Sequence, residues 1–598
     1  MELKSKYPSK PSEISDNAFR YDSFSNGKTV FNKKKNHLPA MGWNSWNAFG
    51  SGNTEALTKT MADCIVNLGL NKLGYKFVIL DDGCYKSERI QEKLSNETVK
   101  FPGGFKSLSD YIHSKGLKFG MYNDIGTNLC AGAEVGTCGH EKIDAQSYIN
   151  WGVDFLKIDN CYYLWDNATF SNPENARYVF APAIKNIRLI GKNFNQLFSA
   201  VQDGKLSGCG GIISEDYVKN IGTFDGTNTG TTPVGPMSSE LIFQVSVPQS
   251  DNYKITITYA TGKENGIGQW LQLATENNSE IQYFYDDFLP PTETTGTFTE
   301  SKEIEIFLKE GKNTIRIMNH RRQENTLLSY AAMLEGLNSA NPDHDIYISL
   351  CEWGKTQPQN WGYKTGDSWR ILNDITFQVG SDGNPGFGEW NNPGTQSIAS
   401  QYNKAVVMDE FAGLTKGWND PDMLMIGMNG LTLTMNKTHF AMWCMMNSPL
   451  MLGMDLRRLT KGDDYYNIIS NKDLIDLNQD SLGIQAKRIW TSFKCNEADK
   501  EYITDNNRWD ILAKPLSDGS VAIAAFNLSD SSSTQEFTLD ISFIKEKLGN
   551  KVPAKFALSS NFTAKNLWTK SENKVTTSIK LDSIEPCGNI VIKLSPEN

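Results

Sequence analysis

Histidine is scarce in this 598-residue chain, and the six present (His37, His113, His140, His320, His344, His439) form no HxH or HxxxH pair. That argues against a zinc centre, whose ligands come at such spacings. Ten cysteines over this length make no disulfide framework of the kind that staples small secreted domains. Basic charge is outweighed, 59 Lys and Arg against 69 Asp and Glu, for a net −10. The basic face that nucleic acid demands is therefore missing. No apolar run reaches the roughly 18 residues of a membrane span; the longest, 440–454, is broken by Asn447 and Pro449. Residues 1–10 are polar and lysine-rich, so no signal peptide is visible in the chain. No cofactor and no metal is expected.

What is present is aromatic surface, 14 Trp, 22 Tyr and 29 Phe, which suits stacking on sugar faces as well as large cores. A chain this long divides into roughly three or four domains. Residues 1–25, rich in Ser, Lys, Pro and Asn, read as a tail. Then strand and helix alternate with a period of roughly 40 residues, the rhythm of a parallel α/β barrel. Strands are expected near 40–46, 75–82, 117–124 and 153–159, and helices over 58–68, 105–115 and 143–151. A further helix, 174–190 with a kink at Pro182, closes this half. From there to 341 the texture is short alternating β segments with Gly, Thr and Asn turns, an all-β sandwich. Barrel strands resume at 346–353, 368–375, 417–423 and 449–454, and from 487 alternating β patterns return. The expected architecture is a (β/α)8 TIM barrel over 26–191 and 342–486, with the β domain 192–341 inserted between strands 4 and 5. An antiparallel β-sandwich over 487–598 completes it.

The stretch 154–162 is the one the rest is organised around. Val153 and Phe155-Leu156 read as a buried strand that presents Lys157, Asp159 and Cys161 on one face, since alternate residues of a strand share a face. A cation beside a carboxylate keeps it ionised, which a carboxylate nucleophile needs. A purely structural Lys–Asp pair would look the same. Active sites of α/β barrels lie at the carboxyl ends of the strands, and there Trp46, Asp81, Asp82, Tyr122, Lys157 and Asp159 would converge.

Six ordered motifs carry a resemblance. Met-Gly-Trp-Asn-Ser-Trp-Asn at 41–47, Leu-Asp-Asp at 80–82, Leu-Lys-Ile-Asp-Asn-Cys at 156–161, Leu-Cys-Glu-Trp-Gly at 350–354, Ser-Trp-Arg-Ile-Leu-Asn-Asp-Ile at 368–375 and Trp-Asn-Asp-Pro-Asp-Met at 418–423 resemble those of glycoside hydrolase family 27, the α-galactosidases or melibiases. The resemblance implies hydrolysis of terminal α-D-galactosides, from oligo- or polysaccharides, with retention of configuration. It makes Asp159 the nucleophile and Asp374 the general acid/base. A retaining pair stands about 5–5.5 Å apart, one carboxylate attacking and the other protonating the leaving oxygen. Lys157 would hold Asp159 ionised, and Asp374 would need a raised pKa.

By the same resemblance Asp81, Asp82 and Lys157 bind the O3, O4 and O6 side of galactose. Glu352 and Arg370 lie near O2 and O3, Trp46 and Tyr122 pack on its C–H faces, and Asp422 and Met423 complete the floor. Glu352 would fill the space an acetamido group needs, and Asp81 would leave room for the C6 hydroxymethyl. Cys130 and Cys161 match a family disulfide beside the nucleophile, which implies an oxidising, extracellular or periplasmic compartment. Cys84 lacks its usual partner, with Cys64 a possible substitute, while Cys351 and Cys444 read as buried thiols.

The inserted domain resembles a carbohydrate-binding module of the family 6 or 35 type. Trp270, Tyr283 and Tyr285 could stack on sugar or belong to its core, and Asp286-Asp287 is too thin a signal for structural calcium. Asn96-Glu97-Thr98 and Asn167-Ala168-Thr169 would permit glycosylation in a secreted eukaryotic protein. Other readings are a family member acting on an α-N-acetylgalactosaminide, a β-L-arabinopyranoside or isomaltodextran, and a non-catalytic sugar-binding barrel.

Overall fold

The computed structural model describes residues 36–161, 181–207, 211–221, 239–261, 269–278, 280–292, 296–319, 321–354, 358–375, 378–392, 397–530 and 536–597. Eight short parallel strands form its first sheet: β1 (Met41–Asn44), β2 (Phe77–Ile79), β3 (Lys118–Asp124), β4 (Phe155–Asp159), β5 (Tyr347–Cys351), β6 (Ser368–Arg370), β7 (Trp418–Asp420) and β8 (Leu450–Leu452). They hydrogen-bond in that order, with β8 returning to β1. A parallel bridge between Leu424 and Leu452 joins the β7 loop to β8 and closes the barrel. The expected (β/α)8 barrel is what forms.

Sequence explains each unit. Helix α1 (Glu55–Asn67) starts where the Thr54 side chain accepts from the Leu57 N–H, buries Met61, Ala62 and Ile65, and stops before Gly69. Helices α2 (Gly104–Ser114) and α3 (Glu141–Trp151) each end ahead of a glycine at positive φ, Gly116 and Gly152. Strand β3 approaches its neighbours so closely at Gly120 that a Cβ there would stand 2.6 Å from the Ile79 side chain. Below the mouth, Ala40, Ile79, Phe155, Tyr347 and Met451 fill the barrel, with the Phe155 and Tyr347 rings stacked at 5.0 Å. Among the described residues only 3-10 turns stand between β5 and β6, at Pro358–Asn360 and Gly362–Lys364.

The β insertion is bounded differently from the expected 192–341. Its first strand is Ala183–Gly191, so the helix expected over 174–190 is replaced by strand from 183; residues 162–180 lie outside the described set. Its last strand is Gly311–Met318, and residues 321–340 form helix α4 (Arg321–Ala340), which belongs to the barrel. Tyr330 on α4 donates its hydroxyl to the Ile158 carbonyl of β4 at 3.2 Å, and a Cβ on Gly336 would lie 2.9 Å from the Glu141 carbonyl of α3. Among its described residues the insertion forms two antiparallel sheets. Leu241, Phe243 and Val245 of one meet Ile187, Ile255 and Ile257 of the other in a separate core. The side chains of Trp270, Tyr283, Tyr285, Asp286 and Asp287 lie outside the described set, as do Asn167 and the tail.

From Lys487 a six-stranded antiparallel sheet and a two-stranded one pack around a third core. The expected single strand 575–580 is two, Glu572–Val575 and Ser578–Leu581, and a helix, Ile541–Leu548, leans on the sheet. No helix among the described residues is long and apolar enough to cross a membrane.

Candidate active site

A cavity of about 250 Å³ opens at the carboxyl ends of the barrel strands. Its wall holds Trp46, Asp81, Asp82, Tyr122, Lys157, Asp159, Arg370, Asp374, Asp422 and Met423, so every residue expected at the site except Glu352 meets there. Glu352 is fully buried at the end of β5 and is not part of the lining. The next residue, Trp353, takes that place, held at φ +56°. Gly354 follows at φ +75°, its backbone pressed so close to β6 that a Cβ would lie 2.0 Å from the Ile371 carbonyl.

Two cations organise five carboxylates. The Lys157 ammonium lies 2.8 Å from Asp81, which also accepts from the Asn44 side chain at 2.7 Å. Lys157 sits 5.3 Å from the Tyr122 ring centroid. Its ion pair is thus with Asp81, and its effect on Asp159 is exerted through space. Asp82 accepts from the Gly83 and Ala131 N–H groups at 2.6 and 2.8 Å. Burial nevertheless raises its pKa above the usual range. Across the mouth, the Arg370 guanidinium lies 2.6 Å from Asp422 and 3.1 Å from Asp374. Asp422 in turn accepts from the Ile375 N–H at 2.9 Å, so the segment carrying Asp374 is pinned from both sides.

Asp159 and Asp374 differ sharply in setting. Asp159 is 6 % exposed at the tip of β4, and one carboxylate oxygen has no hydrogen-bond partner. Burial, reinforced by the charges of Asp81 and Asp374, pushes its pKa up to about 6, against the pull of Lys157 and the Cys351 thiol. Asp374 has a side chain 60 % exposed at the rim. Cys130 and Cys161 are bonded in a disulfide, their Cα atoms 5.2 Å apart. The Cys130 sulfur lies 3.2 Å from an Asp159 oxygen. Cys64 and Cys84 are not joined to each other, and Cys84, Cys351 and Cys444 are buried thiols.

Sequence reasoning passed over Asn47, Trp353 and Val379, which also line the cavity, and Asp124 behind it. Asp124 stands opposite Asp159 in the β3–β4 register and accepts from the Cys161 and Gly126 N–H groups, both at 2.6 Å. Burial and the Asp159 charge push its pKa up to about 8. An Asp at a buried strand end, on the strand before that of the nucleophile candidate, was the signal available. Asn96 donates its side-chain amide to the Phe101 carbonyl at 2.7 Å, which ties up the first of the two expected sequons. Among the described residues the one cluster with metal-ligand spacing is Asp124, Cys130 and Cys161, beside this cavity, and its two sulfurs are spent in the disulfide.

Two family models match this chain. Residues 38–177 and 324–480 match the family described as Alpha galactosidase A, and residues 506–594 match the Alpha galactosidase C-terminal beta sandwich domain. The unmatched interval contains the β insertion. An α-galactosidase of Cyamopsis tetragonoloba is 27 % identical over 83 % of this chain and 74 % of its own. Alpha-galactosidase A of Cellvibrio japonicus is 25 % identical over 93 % and 92 %. Among solved structures, α-galactosidase I of Mortierella vinacea superposes with a TM-score of 0.57 at 23 % identity, covering 94 % of this chain and 98 % of that one. The last likeness concerns the fold.

Proposed function

We infer from membership of the α-galactosidase family of glycoside hydrolases, family 27, to which this chain belongs, that it releases terminal non-reducing α-D-galactosyl residues by double displacement. The chain is a glycoside hydrolase; its substrate, the mechanism and the residue roles are our reading. One observation carries the roles: two carboxylates share a cavity, Asp159 buried at its floor and Asp374 exposed at its rim. The floor position suits attack on an anomeric carbon. The rim suits a group that must meet both a departing alcohol and an incoming water.

In the first step an Asp159 oxygen bonds to C1 while the C1–O bond to the aglycone breaks, and Asp374 gives its proton to that oxygen. In the second, Asp374 takes a proton from water, whose oxygen bonds to C1 as the Asp159 ester breaks. Two inversions give net retention. Asp81, Asp82, Lys157 and Arg370 would bind the sugar hydroxyls. A site of charged, buried partners rejects the wrong epimer because a misplaced hydroxyl leaves them unpaired. Trp353 rather than Glu352 walls the β5 side, and its bulk supports a 2-hydroxy over a 2-acetamido sugar. The disulfide supports an oxidising compartment.

Proton NMR of the hydrolysis of 4-nitrophenyl α-D-galactoside tests the mechanism. The α-anomer of galactose should form first and then mutarotate. First-formed β-galactose would mean inversion and would reject the assignment.

A further inference from the structure

One thiol beside the nucleophile has no part in the proposed chemistry. Cys351 ends β5 opposite Asp159 in the β4–β5 register. On the other side Leu350 pairs with Trp369, so the next step of that register sets Cys351 beside Arg370 of β6. Residues level with one another on neighbouring strands share a face, and Asp159 and Arg370 both reach the cavity. Cys351 therefore stands between them on the inner face of the barrel, 1 % exposed. The Arg370 guanidinium donates to its sulfur at 3.6 Å, and the same guanidinium holds Asp374 and Asp422.

Asp159 is short of proton donors. Its Oδ1 is buried with no partner, and its Oδ2 lies 3.2 Å from the Cys130 sulfur, which is bonded to Cys161 and carries no proton. Cys351 can supply one. Burial, with the Asp159 charge, pushes its pKa well above the usual thiol range, so the proton stays on sulfur. That thiol is among the groups that favour the ionised form of Asp159. We propose that Cys351 is a positioning residue for the nucleophile, its S–H turned to the Asp159 carboxylate while Arg370 holds its sulfur in place. A thiol is a weak donor, yet a hydrogen bond to a carboxylate favours its charged form, the form that attacks. The inference rests on the galactosidase reading above.

The pH dependence of kcat/KM on 4-nitrophenyl α-D-galactoside tests it in three variants. The other charged and titratable groups around Asp159 are Lys157 on its own strand, Asp81 after β2, Tyr122 and Asp124 on β3, Tyr330 on α4 and Asp374 after β6. All are kept. Cys351→Ala removes the donor, so the acid limb should move up by about half a pH unit or more. Cys351→Val, similar in volume but without a donor, should do the same, and it serves where the alanine variant fails to fold. Cys351→Ser keeps an O–H donor and should hold the limb at or below its wild-type place. A limb that stays in place in Cys351→Ala and Cys351→Val, or moves up equally in Cys351→Ser, would overturn the Cys351 role alone. A wild type inactive on the galactoside would instead reject the galactosidase reading and this inference with it.

Discussion

At the scale of single residues, Asp159, the nucleophile of our proposal, is held near the edge of ionisation by burial and neighbouring charge. Its pKa, pushed up to about 6, has a direct consequence for rate. Only the carboxylate attacks, so below that pH the protonated fraction grows and kcat/KM falls. The acid limb should appear near pH 6. Lys157 is among the groups that pull the value down. Lys157→Met should therefore move the acid limb upward in pH as well as weaken substrate binding. A pH–rate profile whose acid limb stays in place in that variant would contradict the electrostatic role of Lys157.

At the scale of elements, loops after the strands set the site, and the turn at the end of β5 is the most constrained. Gly354 has φ +75° and no room for a Cβ against Ile371. Gly354→Ala should cost about 1–3 kcal/mol or more in stability, read by urea unfolding, and should lower activity because Trp353 moves with the turn. An unchanged midpoint would refute the close packing of that turn on β6. The same scale shows what the sequence could reveal. Barrel strands such as β4 were legible because parallel strands, covered on both faces, read as apolar runs ending in polar residues. Strand 183–191 was not. Its buried Ile184 and Ile187 stand three apart, a helical spacing. A register shift in its pairing with Asp251–Ala260 breaks the two-residue alternation. The roles carried by resemblance brought ten residues to one cavity, but the distinction between Glu352, buried, and Trp353, on the wall, depends on a left-handed backbone at 353 that no local pattern announces.

At the scale of the whole molecule, the C-terminal sheet is locked to the barrel by a buried ionic network. Asp510 lies 3.1 Å from Arg508 and 3.5 Å from Arg488, all three side chains 0 % exposed. Arg508 donates to Asn403 of helix α5 (Ile398–Ala405) at 2.6 Å, and the Tyr402 hydroxyl donates to Asp510 at 3.1 Å. Removing Asp510 strands two buried guanidinium groups. Asp510→Ala should cost about 3–5 kcal/mol, seen as a large fall in the unfolding midpoint at neutral pH. The pH dependence has a definite sign. Burial alone would raise the Asp510 pKa, but Arg508 and Arg488 outweigh it and hold it below the usual range. Its contribution is therefore complete above the ordinary carboxylate pKa of about 4 and is lost as pH falls through the lower folded value. A variant as stable as the wild type at pH 7 would show that the two domains do not depend on this network.

The central claim is that Asp159 forms a covalent bond to the sugar. A 2-deoxy-2-fluoro α-galactoside with a good leaving group should slow both steps and let the ester accumulate, and peptide mass spectrometry then locates it. The account predicts one added fluorogalactosyl group per chain, on the peptide that contains Asp159, and none in Asp159→Ala. A label on Asp374 or any other residue, or stoichiometric labelling that persists in Asp159→Ala, would contradict it.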